Sequence, residues 1–349
     1  MNNKIKVAIL DSGINRNNHY LNNSVIGGHS LKKVGNGYEI VNDIYEDDNG
    51  HGTLCASVIK KECKDVEFYI VKILDKDART NLKVLEEALT FFIGTDIKII
   101  NLSLAIVDKR KSRILKDLCN RLIDEGKIIV SSLANGFKKS YPACFRKVIG
   151  VKGFILQNEF DFWFSRKKKI QCIVDFNPYL HCYLHNEYLL YGKCNSYAAA
   201  KMTGIIANIL IENKDISIKQ LYNILELKAS KNHWNWLNLR KSKRFPEFKE
   251  NNLSIYDYEY NNIIKRIELL LVEFLYINDS SVLYKYNLFD KHVGLEYEQC
   301  YKLLKLIEKE FNIKFDIYTN ISRYEFYSIY NLAFLIKCQI NKENNEDII

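Results

Sequence analysis

The sequence predicts an α/β fold, a doubly wound and mainly parallel sheet, followed by a small all-α bundle. Three observations lead there. Short apolar runs without polar alternation recur through the first 151 residues, as strands buried on both faces of a parallel sheet require. Helical patterns fall between these runs, and such alternation is the signature of a wound sheet. From about residue 255 the strand-like runs cease, and apolar residues recur at helical spacing.

In order, the predicted strands are KVAIL (6–10), VEFYIVKIL (66–74), IKIINLSL (97–104), KIIVSSL (127–133) and KVIGV (147–151). HGTLCASVIKK, NLKVLEEALTFFI and SRILKDLCNRLIDEG supply the helices between them, the last with Gly126 at its C-cap. Residues 153–192 read as short aromatic strands, and two helices follow at 196–212 and 217–229. The segment 228–252 then turns polar and basic and loses periodicity. These readings give a first domain over 1–236, a linker over 237–254 and a helical domain over 255–349. The tail NKENNEDII is expected to fray.

With 349 residues, 47% of them hydrophobic, the chain is long enough for one large core and a small module. The net charge of +9 is spread along the chain, with short clusters at Lys109–Lys111 and Arg166–Lys169. No groove-reading or zinc motif accompanies it, so no nucleic acid is expected, and an acidic peptide suits the charge better. The nine cysteines are odd in number and show no C-x-x-C spacing. That argues against zinc and a disulfide framework and for reduced thiols in the cytoplasm. Neither a signal peptide nor an apolar stretch of membrane-spanning length is legible, so no membrane is expected.

Three short motifs carry chemistry. In AILDSGI, Asp11 ends a buried strand, where it either makes a turn with Ser12 and Gly13 or orients a histidine. In DDNGHGTLCAS, His51 stands between two glycines at a helix start. It is either part of a capped loop or a base, and the helix dipole disfavours its protonated form. On that argument it is neutral at pH 7 once a carboxylate fixes its tautomer. In KCNSYAAAKMTG, Ser196 sits in the first turn of an apolar helix. Its hydroxyl either caps the helix or is a nucleophile in need of a base. Asp, His and Ser in this order form one of the known triad arrangements.

The three segments resemble the catalytic segments of the subtilisin-like serine proteases (S8 peptidases), in that family's order. The landmarks INLSLA, SSLANG and YPACFRKVIGV between them extend the resemblance over roughly residues 4–230. It implies Ser196 as nucleophile, His51 as general base and acid, and Asp11 as the group that orients His51. It further implies Asn135 as an oxyanion donor beside the Ser196 backbone N–H, and Asn101, Leu102, Ser103, Leu104 and Ala105 as the segment along which substrate lies. Departures from the family pattern are Cys194 and Asn195 for Gly-Thr, Ala200 for proline and Ala105 for a common glycine. They spare the four catalytic positions and bear on rate and specificity. Cys55, one helical turn from His51, reads as a buried small residue, with a second nucleophile the sharper alternative. Many relatives bind calcium, but Asp43, Glu46, Asp47 and Asp48 make no recognisable ligand loop, so no metal is expected.

The stretch 288–316 resembles the central part of an acyl or peptidyl carrier protein. Counting back from Phe311, the prosthetic-group serine falls on Tyr297 and its aspartate on Glu296. A phenol cannot accept phosphopantetheine, so the resemblance implies a carrier-like domain without its arm, an unrelated bundle being the plain alternative. Such a domain retains a docking surface, and 255–349 is read as recruiting a precursor peptide or a modifying enzyme. With no secretion signal or pro-domain legible ahead of the catalytic segment, the chain reads as an intracellular endopeptidase of narrow specificity. Its expected substrate is a ribosomally made precursor or leader peptide in a peptide-maturation system. The alternatives are a catalytically impaired scaffold that binds a peptide or modifying enzyme, and a general turnover protease.

Overall fold

A computed structural model describes residues 4–108, 112–213, 215–241 and 258–346. The basic cluster at 109–111, the linker residues 242–254 and the last three residues of the tail lie outside them. The described chain divides into two units.

The first unit opens with β1 (Ile5–Asp11), β2 (Val25–Val34), β3 (Gly37–Asn42), α1 (His51–Glu62), β4 (Val66–Lys72) and α2 (Leu82–Phe91). It continues with β5 (Ile99–Leu102), α3 (Arg113–Asp124), β6 (Ile128–Ser132), β7 (Ile149–Phe154), β8 (Phe162–Phe164) and β9 (Cys172–Asp175). Nine strands form one sheet in the order β3-β2-β4-β1-β5-β6-β7-β9-β8. The seven inner strands run parallel, and β3 and β8 close the edges antiparallel. The continuous apolar runs fall on the strands buried along their length: β5 and β6 are buried at every position. The edge hairpin β2–β3 is absent from the sequence reading. Its signal was the Gly-Asn-Gly turn, where Val34 pairs with Gly37 across Gly35 at φ 56°.

Helices cover both faces. Val84, Leu85, Ala88 and Leu89 of α2 and Leu115, Cys119 and Leu122 of α3 share one core with Ala8 and Leu10 of β1, Ile100 and Leu102 of β5 and Ile129 of β6. The α3 residues recur at helical spacing, and burying each leucine contributes about 2 kcal/mol before ordering costs. Alternate strand residues such as Val7 and Ile9 point to the other face. There α1 packs against α4 (Asn195–Glu212), which also lies along β5, β6, β7 and β9. α4 is buried on nearly every side, as its Ala-rich sequence allows. α5 (Ile218–Lys228) follows, opened by a capping box between Ser217 and Gln220.

The predicted linker is corrected at its start. Residues 236–241 form α6 (Trp236–Lys241), which belongs to the first unit. Trp234 and Leu239 pack on Leu156, Trp163 and Ile173. The polar, basic composition of this stretch hid two apolar anchors.

The second unit is not one continuous segment. β10 (Tyr179–Cys182) and β11 (Tyr188–Tyr191) pair with each other, and Pro178–His181 and Tyr188–Tyr191 are counted with the helices that follow residue 257. Those helices are α7 (Tyr258–Leu275), α8 (Val282–Lys285), α9 (Cys300–Phe311) and α10 (Ile329–Glu346). Ile263, Ile267 and Leu271 of α7 meet Leu303, Leu304 and Ile307 of α9 and Leu332 and Ile336 of α10. Leu180 of β10 and Leu190 of β11 are fully part of this core. Removing 255–349 therefore exposes Leu180 and Leu190. Tyr297 lies in a one-turn 3-10 segment ahead of α9, capped reciprocally by Glu296 and Gln299. No helix among the described residues is long and apolar enough to cross a membrane.

Candidate active site

In a wound sheet the carboxyl ends of the strands, near the point where chain order reverses, form a crevice. β1 is that point here, lying between β4 and β5. Asp11 is its last residue and is fully buried. Its Oδ1 accepts from the Ser12 backbone N–H at 2.8 Å and lies 2.7 Å from His51 Nδ1. Asp11 thus bonds both the turn at Ser12 and the ring of His51. Its Oδ2 is buried without a hydrogen-bond partner among the described residues.

His51 is brought to Asp11 by the glycine beside it. A Cβ at Gly52 would stand 2.1 Å from the Gly13 carbonyl oxygen, so only glycine lets α1 start against the end of β1. The Gly52 N–H donates to Ser12 Oγ at 2.9 Å. Gly50, the N-cap at φ 94°, has the left-handed backbone that glycine adopts freely. Asp47, one of the four acids weighed for calcium, is committed to this turn. Its carboxylate accepts from the N–H groups of Asn49, Gly50 and Thr53 at 3.0, 2.7 and 2.9 Å and from Thr53 Oγ1 at 2.6 Å. Asp48 pairs with Lys72.

The protonation of His51 departs from the helix-end argument. Burial opposes the charged ring, but the charge and hydrogen bond of Asp11 and the charge of Asp47 outweigh it. The His51 pKa is held above the ordinary 6.5. The dipole points the other way, and the carboxylates decide the sign. Cys55 is fully buried, and its Sγ, a nitrogen of His51 and an oxygen of Asp11 all lie within 4.8 Å of one another.

Ser196 stands in the first turn of α4, whose N-cap Cys194 makes no side-chain cap. The Ser196 hydroxyl does not cap the helix: it donates to the Ser103 backbone carbonyl at 3.0 Å. Ser103 Oγ in turn donates to the Ser196 carbonyl at 3.3 Å, tying the end of β5 to the start of α4. Cys194, which stands where the family pattern has glycine, does not need a glycine's backbone freedom. Cys194 has φ −133°, an extended conformation open to any residue, and Lys193 carries the positive φ of 54° instead.

Asn135 is exposed, and its Oδ1 accepts from the Asn195 backbone N–H at 3.1 Å. That bond turns its NH₂ group away from Asn195. The Asn195 side chain, noted in the sequence only as a departure, clamps two further segments. Its Nδ2 donates to the Leu133 carbonyl at 2.8 Å, and its Oδ1 accepts from the Gly153 N–H at 2.9 Å. Such convergence on one residue has no local sequence signal.

The expected substrate segment is only partly placed at a surface. Asn101 and Leu102 are fully buried, which corrects their assignment as substrate contacts. Asn101 instead donates to Ser103 Oγ at 3.0 Å and accepts from Thr203 Oγ1 at 2.9 Å, locking β5 to α4. Leu104 and Ala105 are half-buried. The segment ends where Ile106 and Tyr141 exchange backbone hydrogen bonds of 2.8 and 2.7 Å.

Comparison with known proteins places this arrangement. A profile of the Subtilase family of peptidases (S8) matches residues 2–251, and so ends before the described helices of the second unit. The chain is 26% identical over 223 residues to the minor extracellular protease Epr of Bacillus subtilis (strain 168), covering 60% of this chain and 32% of that protein. It is 25% identical over 224 residues to the major intracellular serine protease of the same organism, covering 59% and 68%. The chain thus spans about a third of the length of the first relative. Among solved structures, the fold is similar to that of Sphericase, with a TM-score of 0.53 and 18% identity over 65% of this chain and 83% of that one.

Proposed function

Because this chain belongs to the Subtilase family, we propose that it is a serine endopeptidase in which Ser196, His51 and Asp11 act as a triad. The observation that carries the reading is the 2.7 Å pairing of His51 Nδ1 with buried Asp11 at the carboxyl end of β1. Ser103, the hydrogen-bond partner of Ser196, lies just past the end of the neighbouring β5.

The mechanism follows from these groups. The Ser196 hydroxyl leaves the Ser103 carbonyl and gives its proton to His51 Nε2 as Oγ adds to the scissile carbonyl carbon. Asp11 stabilises the resulting imidazolium and holds its tautomer. The carbonyl oxygen, now an anion, is met by the Asn135 amide and by the Ser196 N–H, which has no intrahelical partner in the first turn. Collapse breaks the C–N bond, and the leaving amine takes the proton from His51. Water then attacks the acyl-enzyme with His51 again as base, releasing a carboxylic acid and restoring Ser196. Leu104 and Ala105, half-buried just past the buried Ser103, offer the backbone along which the peptide lies.

The substrate we infer is a precursor or leader peptide, recruited with or without a modifying enzyme by the second unit, read as a carrier-like domain without a prosthetic arm. The support is the joining of that unit to a protease domain and the tyrosine at position 297. A cytoplasmic setting is supported by the odd count of nine cysteines and their lack of C-x-x-C spacing. The impaired-scaffold reading draws on one observation, the Ser196 hydroxyl turned to Ser103. Labelling with a fluorophosphonate probe, beside Ser196→Ala and His51→Ala, decides between them. Labelling abolished by both substitutions supports the triad, and a folded wild type that does not label refutes it.

A further inference from the structure

Between β10 and β11 the chain makes a short tip, Cys182–Glu187, that is counted with the first unit although both strands are counted with the second. The Cys182 N–H donates to Ser57 Oγ on α1 at 3.0 Å. The Tyr183 carbonyl accepts from Asn15 Nδ2 at 3.2 Å, and its hydroxyl donates to the Asn49 carbonyl at 3.3 Å. The Tyr183 ring packs against Gly50, so that a Cβ there would stand 2.1 Å from a ring carbon. Gly50 is the left-handed cap from which His51 projects, and the His51 N–H is held by Asn49 Oδ1 at 3.3 Å. Asp47 fixes this turn from within the loop, and Tyr183 closes it from outside.

We propose that Tyr183 is a positioning residue for His51. The proposal rests on the reading of His51 as the base. Leu180 and Leu190 anchor the two strands in the core of the second unit. The Leu180 N–H donates to the Ile321 carbonyl at 2.9 Å, and Tyr188 packs on Tyr301 and Tyr318 with centroids 5.3 and 4.8 Å apart.

The test uses the full chain and two readouts. One is the low-field proton resonance of His51 Nδ1–H bonded to Asp11, which does not require activity. The other is the split of kcat against KM on a short peptide. Tyr183→Ala is expected to broaden or shift that resonance and, where the wild type is active, to lower kcat by ~10-fold or more with KM within about twofold. Tyr183→Phe, which keeps the ring on Gly50, is expected to restore most of both. Should the alanine variant fail to fold, Tyr183→Leu is read in the same way. A folded Tyr183→Ala protein with the wild-type resonance and kcat overturns the positioning role. An inactive wild type that still shows the resonance refutes the protease reading while leaving this test in force.

Discussion

Gly52→Ala tests whether the close approach of two backbones sets the catalytic geometry. The added carbon would lie 2.1 Å from the Gly13 oxygen, where 3.4 Å is an ordinary contact, so the segments must part by about 1.3 Å. Gly13 follows Asp11 by two residues, and Gly52 adjoins His51. If the movement is passed on in full, the Asp11–His51 distance grows from 2.7 Å to about 4.0 Å, beyond hydrogen-bond reach. A misplacement of this size costs about 10²-fold in rate, and loss of the orienting carboxylate in a triad costs up to about 10⁴-fold. Overpacking adds about 1–3 kcal/mol of destabilisation. The assay is the second-order rate of fluorophosphonate labelling, with a thermal melt to confirm folding. A folded variant that labels within about threefold of wild type would show that the Gly13–Gly52 contact does not position His51, and the reasoning would fail.

Further outcomes are expected from the same geometry. Asn135→Ala should raise the barrier by about 3 kcal/mol with little change in KM, a magnitude established on a subtilisin rather than worked from this chain. Steady-state kinetics check it. Asn195→Ala leaves the Leu133 carbonyl and the Gly153 N–H buried without that partner, at about 1–3 kcal/mol each, and loosens the stretch that carries Asn135, whose own bond to the residue 195 backbone N–H is kept. Denaturant melts and kcat should fall together. Because the His51 pKa is raised and the base must be neutral, kcat/KM should climb with pH through a midpoint above 6.5. Asp11→Asn should move that midpoint down. The stability contribution has the opposite sense: tighter proton binding by folded His51 stabilises fully below 6.5, and the gain is lost as pH rises through the folded pKa. Melting of Ser196→Ala across pH 6–9, against the double variant with His51→Ala, reads it.

Much of the site was legible because its signals are local. An aspartate at the end of an apolar strand, a histidine between two glycines and a serine opening an Ala-rich helix each need only a few neighbouring residues to be read. The strand and helix periods that order β1, β4, β5, β6 and β7 are local in the same sense. The edge hairpin β2–β3 was missed although its Gly-Asn-Gly turn was present, because its strands carry few continuous apolar residues. The start of the linker was misplaced because composition says nothing of Trp234 and Leu239 meeting Trp163 some 70 residues away.

The sequence by itself determined the alternation of strand and helix, the family resemblance and the residue types offered for catalysis. These rest on periodicity and backbone freedom, which act over a few residues. Tertiary structure alone decided that Asn101 and Leu102 turn inward, that Asn195 ties the Leu133–Asn135 stretch to β7 and that a hairpin inside the protease sequence completes the helical core. It also decided the sign of the His51 shift, since burial, helix end and two carboxylates oppose one another there. Such a sum is set by distances through space, and those exist only once the chain has folded.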